Sequence, residues 1–378
     1  VNGEDAKFKR EDGELIITPK NGIEQGQDFK VNVKYAGTPE TYNSPYAPIP
    51  LGWNNINDGN YVLSEPDGAP TWFPVNDHPR DKATYAFEVT VPEGYTAVCN
   101  GNLKGQEHNG NSSTFKWEAT EPMASYLATV NVGKFEQQND VGPNGLPIIN
   151  FFAPSLAKEA KNDFGRVPEM IKFFSDRYGP YPFDVYGNTV LSASVGGAAL
   201  ETQTRPIYEA GMVTGDRSKE FIYAHELAHQ WFGDSVSVQN WKDIWLNEGF
   251  ACYSHMCWKS EHDGSFEKLD KSMHRMHMWL PHKSPKVAEP GETGLFSETV
   301  YNRGAVTLHL LRKELGDDKF FQSMRTYTEK FRGGNVTTPD FVSVVNEVSG
   351  KDMQPFFDKW VNSETLPPWP GKSEAAVA

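Results

Sequence analysis

YAHELAHQWFGD, residues 223 to 234, sets two histidines four positions apart with a glutamate directly after the first. On an α-helix, positions i and i+4 stand one above the other on the same face, so His225 and His229 can aim their imidazoles at one point. Glu226 is turned by about 100° from His225 and can reach a small molecule held there. Taken alone, the pattern is equally that of a surface helix that happens to carry two histidines. Residues elsewhere in the chain decide between the two.

A catalytic zinc requires a third protein ligand and one open position. WKDIWLNEGFACYSHMC, residues 241 to 257, supplies Glu248 on a second expected helix, with eighteen residues between it and His229. Trp241, Trp245, Leu246 and Phe250 flank it with apolar surface that would pack this helix against the first. The set His225, His229 and Glu248 predicts one Zn2+ per chain. Zinc in such a site lowers the pKa of its water towards ~7. Glu226 is then the expected proton acceptor and donor for attack on a carbonyl. The oxyanion needs a further stabiliser, and SETVYNRGAVTLHLLR, residues 297 to 312, offers Tyr301 just ahead of a helix. With fifteen tyrosines in the chain, spacing alone does not select it.

At 378 residues the chain exceeds one compact core, and its 23 Phe, 15 Tyr and 10 Trp furnish apolar volume for more than one. Its 36 basic and 50 acidic residues leave a net charge of −14, which argues against nucleic acid or an anionic membrane as main partner. No apolar run is long enough to span a bilayer. Cys252 and Cys257, five apart on a helix, lie beyond disulfide reach, and Cys99 is remote, so no disulfide framework is expected. The polar start VNGEDAKFKREDG is not a signal peptide. A soluble protein is expected, cytoplasmic or secreted with its signal absent from this chain.

Residues 1–140 read as β structure, beginning with a hairpin signal at Asp12-Gly13 between alternating segments. The turn-rich DVGPNGLP, residues 140 to 147, is the candidate division between domains. In 141–370 the periodicity becomes helical, with helices expected over 156–178, 217–232, 247–262, 304–315, 317–332, 338–349 and 353–364. YGNTVLSASVGGAALE reads as strand, Gly-rich turn and strand. The tail is expected to be a packed Pro/Trp arm, with 371–378 frayed. His274, His277 and His282, in MHRMHMWLPHK, converge less well than an i, i+4 pair and are expected to pack rather than bind metal.

With these motifs assembled, the chain resembles the gluzincin family of zinc aminopeptidases that includes aminopeptidase N and the leukotriene-hydrolysing enzyme. HELAHQWFGDSV with DIWLNEGFA is similar to that family's zinc signature, and VYNRGAVTLHLLR to the segment carrying its transition-state tyrosine, which falls on Tyr301. GAALETQTRPIY resembles a variant of its Gly-x-Met-Glu-Asn motif, with Ala198, Leu200 and Thr202 in place of glycine, methionine and asparagine. The family's amine-gripping glutamate falls on Glu201. LSEP is similar to a segment with a second amine-binding glutamate, here Glu65, while Leu63 stands where a glutamine often lines the first side-chain pocket.

The resemblance implies a multidomain fold: an N-terminal all-β domain lacking its first strands, then a thermolysin-like α+β domain, mostly helical in its C-terminal half. The short bacterial members, without a C-terminal helical domain, are the nearest pattern. It implies hydrolysis of the N-terminal bond of peptides with a free N-terminus. A thermolysin-like endopeptidase and a non-catalytic peptide-binding scaffold are the alternatives, and Glu201 discriminates against the first. One departure is local. His255 stands seven residues after Glu248, where members commonly carry a glutamate that orients a zinc histidine. A neutral histidine can accept a hydrogen bond but brings no negative charge, so a less firmly held ligand is expected.

Overall fold

The computed structural model describes residues 1–262 and 264–371; from residue 372 the tail expected to fray lies outside the described residues. Alternating apolar and polar side chains build the first part as sheets. Lys7–Glu11 and Glu14–Thr18 form the expected hairpin, turned by Asp12 and Gly13 at φ of 50° and 82°, as a two-residue turn of this kind requires. An antiparallel five-stranded sheet follows in the spatial order Tyr42–Asn43, Pro50–Ile56, Gly59–Leu63, Val130–Gly133 and Thr96–Cys99. A three-stranded sheet of Ala83–Pro92, Ser112–Met123 and Asn102–His108 packs beside it. Val62, Val98 and Cys99 of the larger sheet meet Val91, Phe115 and Trp117 of the smaller in one core.

A second five-stranded sheet is mixed, in the order Glu136–Val141, Pro147–Phe152, Thr189–Val190, Ile207–Tyr208 and Ala199–Leu200. Its outer pairs are antiparallel and its inner pairs parallel. The DVGPNGLP stretch is the hairpin tip between its first two strands, with Asn144 and Gly145 at positive φ. The chain therefore changes sheets between Gly133 and Glu136, a few residues before the division read from the sequence. The two strands read from YGNTVLSASVGGAALE both form, but Ile207–Tyr208 stands between them, because Ala199 and Leu200 turn back to pair with Tyr208 and Ile207.

The helices are α1 (Ala157–Asp163), α2 (Val167–Tyr178), α3 (Glu220–His229), α4 (Trp245–Cys257), α5 (Phe266–Trp279), α6 (Gly304–Leu315), α7 (Asp317–Lys330), α8 (Thr338–Ser349) and α9 (Gln354–Trp360). The single helix read over 156–178 is broken at Phe164–Arg166, where the Phe164 ring stacks between Phe152 and Tyr223 and Asp163 accepts backbone N–H groups of Thr214, Gly215 and Arg217. Helix α5 was not among those expected. Its His277 Nε2 pairs with the Pro367 carbonyl at 2.8 Å and its His274 stacks on Trp369, so these histidines pack the C-terminal arm. Among the described residues no helix is long and apolar enough to cross a membrane.

Helix α4 lies at the centre of the largest core and runs antiparallel to α3, with His229 facing Glu248 and Phe221 facing His255. It meets α6 where Gly249 touches Gly304: a Cβ on either would stand 3.0 Å from the other's Cα. Only glycine at both positions lets the two backbones approach so closely. Replacing Gly304 by alanine is expected to lower the free energy of unfolding by about 1–3 kcal/mol, read as a lower urea midpoint at unchanged slope. An unaltered midpoint would mean that the helices are free to part at this point.

Candidate active site

Helix α3 presents His225 and His229 on one face, and the first turn of α4 presents Glu248 opposite them. The His225 and His229 Nε2 atoms are 3.1 Å apart; Glu248 Oε2 lies 3.2 Å from the first and 3.4 Å from the second. Tetrahedral zinc with ligands at about 2.0–2.2 Å holds its donors about 3.3–3.6 Å apart; one of the three separations lies in that range and two are about 0.1–0.2 Å short of it, so a small outward movement of His225 would seat such an ion. The outer nitrogens agree. His229 Nδ1 donates to the Phe232 carbonyl at 3.0 Å, which leaves a lone pair on Nε2.

His225 is held differently. To face the shared point with a lone pair on Nε2 it must carry its proton on Nδ1, which then donates to His255 Nδ1 at 3.2 Å. His255 is therefore the neutral tautomer protonated on Nε2. Burial, then the neighbouring His225 and Lys259, push its pKa well below the usual imidazole range, in keeping with that assignment. The structure thus brings the sequence-predicted His255 into contact with a predicted ligand, in the role of acceptor.

The remaining predicted residues converge on the same space. Glu65, Glu201 and Glu248 bring carboxylate oxygens within 4.8 Å of one another, and Glu201, Glu226 and His229 form an overlapping group. Glu65 arrives from the N-terminal sheets, directly after the strand Gly59–Leu63. Glu201 follows the strand Ala199–Leu200 and is anchored by Gln230, whose Nε2 donates to its backbone carbonyl at 3.0 Å. One oxygen each of Glu65 and Glu201 is buried without a hydrogen-bond partner among the described residues. Tyr301 lies in the π-helical turn Thr299–Arg303 that opens α6, its ring parallel to that of His225 at 5.9 Å. Insertions of this kind often mark functional sites.

Charge at the site is unbalanced. Burial, then Glu201 and Glu248, raise the Glu65 carboxyl well above the usual range, and burial likewise raises Glu226 and Glu201. Against its own burial, Glu248 is held well below that range by His229 and His225. Burial and the charge of Glu248 keep the Tyr301 hydroxyl protonated far above neutrality. Such a concentration of buried carboxyls suits a dication at the triad and an ammonium beside Glu65 and Glu201.

Three neighbours went unmarked in the sequence. Tyr126, in the turn Ser125–Leu127, is buried and donates to the Gly233 carbonyl while accepting from Asn247. Asp234 is fully buried and both its carboxylate oxygens lack a partner among the described residues. Lys82 donates to the carbonyls of Asp234 and Ser235 at 3.0 Å each, and burial lowers its pKa to about 8. Spacing offers no signal for contacts so distant along the chain. Arg205, by contrast, is not at the site: its guanidinium lies 5.3 Å from the rings of both Trp117 and Phe151, joining the two parts of the molecule. Leu63 is buried against Leu191, Ala198 and Leu200.

Comparison with known proteins gives the site a context. The model of the Peptidase family M1 domain matches residues 163–360, and that of the Peptidase M1 N-terminal domain matches residues 2–127. Probable aminopeptidase 2 of Sulfurisphaera tokodaii is 26% identical over 390 residues, covering 97% of this chain and 48% of its own. Leucyl aminopeptidase of Saccharolobus solfataricus is 25% identical over 392 residues, with 97% and 48% covered. This chain thus spans about half the length of these curated relatives. The crystal structure of an M1 zinc metallopeptidase from Deinococcus radiodurans superposes with a TM-score of 0.86 at 30% identity, over 98% of this chain and 85% of that one.

Because His255 offers His225 a neutral acceptor in place of a carboxylate, a His255→Glu variant is expected to bind zinc about tenfold more tightly. Competition against a chromogenic chelator measures this; equal affinities would mean that the histidine orients its partner as well as an anion does.

Proposed function

Because the chain belongs to peptidase family M1, we propose that it is a zinc-dependent aminopeptidase that removes the N-terminal residue of peptides. The observation that carries the reading is the meeting of two features in one buried space. A three-donor set of about the size zinc needs shares Glu248 with a second group, in which carboxylate oxygens of Glu65 and Glu201 lie within 4.8 Å of it, and one oxygen of each accepts no hydrogen bond among the described residues.

In this reading His225, His229 and Glu248 hold one zinc ion per chain, which when bound polarises the substrate carbonyl and acidifies water. Glu201 and Glu65 accept hydrogen bonds from the substrate's ammonium, which fixes the first residue so that its carbonyl faces the triad. Glu226 takes a proton from the attacking water on to a carboxylate oxygen and returns it to the departing amine nitrogen. Its buried setting suits a group that must hold a proton between two steps. Tyr301 donates a hydrogen bond from its hydroxyl, which keeps its proton, to the oxyanion that develops on the attacked carbonyl, a charge that appears only in the transition state. The endopeptidase alternative would bury the two carboxylates with no charge to meet, and a binding scaffold has no use for Glu226 and Tyr301 together.

Glu226→Gln is expected to lower kcat by about 10²–10⁴ with little change in thermal unfolding, and a chelator should abolish turnover reversibly. Activity identical in the variant and the parent protein would point to a contaminant. Free and N-acetylated forms of one peptide should differ by orders of magnitude in kcat/KM; equal cleavage rules out the exopeptidase reading.

A further inference from the structure

Two exposed side chains beside the triad are unused by that mechanism. Helix α3 carries Phe221 one turn before His225, and α4 runs beyond His255 into the π-helical turn Trp258–His262, which carries Lys259 one turn further on. Since the helices are antiparallel, the four side chains are neighbours. The rings of His225 and His255 are 5.4 Å apart, those of His255 and Phe221 5.7 Å, and Lys259 Nζ stands 5.6 Å from the Phe221 ring centroid. Phe221 is 38% exposed, unusual for an aromatic ring on a helix whose other residues are mostly buried. Lys259 is exposed as well, and among the described residues no carboxylate forms an ion pair with it.

The two ends of the site are opposite in character. Glu201 stands at the His229 side, 4.0 Å from its Nδ1. In the aminopeptidase reading, a peptide held there by its ammonium and extended along α3 past His229 and then His225 would reach Phe221 and Lys259. Resting on the aminopeptidase reading, we propose that Phe221 and Lys259 form the subsite for the leaving part of the substrate. The ring packs on an apolar side chain directly after the cleaved bond, and the ammonium pairs with a carboxylate just beyond it. Short peptides with a carboxylate at that distance are then the preferred substrates, in a chain whose net charge of −14 otherwise repels them. The Phe221 ring also steadies the lysine from below.

The carboxylate can be a C-terminus or an acidic side chain, and one substrate series separates them: Leu-Phe, Leu-Phe-amide and Leu-Phe-Glu-amide, with Leu-Gly as the apolar control. Leu-Phe or Leu-Phe-Glu-amide should exceed Leu-Phe-amide about two- to fivefold in kcat/KM, the range of an exposed ion pair, mainly through KM. Whichever of the two shows the gain names the source. In Lys259→Met that ratio should fall to near one, and in Phe221→Ala the advantage of Leu-Phe over Leu-Gly should shrink. A ratio unchanged in Lys259→Met overturns the proposal. If the parent protein cleaves none of the series, nor an aminoacyl chromogenic amide, the aminopeptidase reading itself falls and takes the subsite with it.

Discussion

Two residues without side chains hold the centre of this molecule together. Gly249 follows Glu248, Gly304 lies three residues after Tyr301, and their backbones are in contact. Any side chain at either position would hold α4 and α6 apart, and with them the acid and the phenol that must share one small space. The contact is made deep in the core, where Trp245, Phe250, Val300 and Ala305 pack around it. Interior packing at near-crystalline density leaves no slack to restore the geometry by other means. A backbone contact thereby sets the separation between the turns that carry Glu248 and Tyr301.

Around that fixed point the site stores charge at a cost. Glu65, Glu201, Glu226, Glu248 and Asp234 are all buried, and burial is the leading reason why four of the five have raised pKa values. The protein balances only one of them well, Glu248, through the two histidines. Glu201 is held through its main-chain carbonyl by Gln230, and Asp234 through its own by Lys82. This is the behaviour of a binding site prepared for cations, where folding accepts local repulsion that ligands later relieve.

What could be read from the sequence divides along the range of the interactions involved. Helix α8 occupies the span expected of it because local signals mark both ends: Thr337 and Asp340 form a capping box and Gly350 closes it at a φ of 69°. His225 and His229 were legible because helical periodicity aligns them, and Glu248 because a catalytic zinc needs a third ligand and a carboxylate opens the next helix. Helix α5 was missed because its buried stripe passes through His277, a polar residue whose partner, Pro367, lies far along the chain. Tyr126, Lys82 and the unpaired state of Asp234 escaped for the same reason. Roles for Glu65, Glu201, Tyr301 and His255 came only from the resemblance; periodicity had no means of joining segments from separate sheets.

The seam between the two parts of the molecule runs through the site itself. Glu65, Lys82 and Tyr126 come from the first part and His225, His229 and Glu248 from the second, with Lys82 clamping the main chain just past α3. The two carboxylates that meet there, Glu65 and Glu201, are thereby inherited from different stretches of the chain. In the aminopeptidase reading, exchange of the first part alone, by recombination among relatives, would replace the Glu65 half of the amine anchor while leaving Glu201 and the proposed hydrolytic residues as they were.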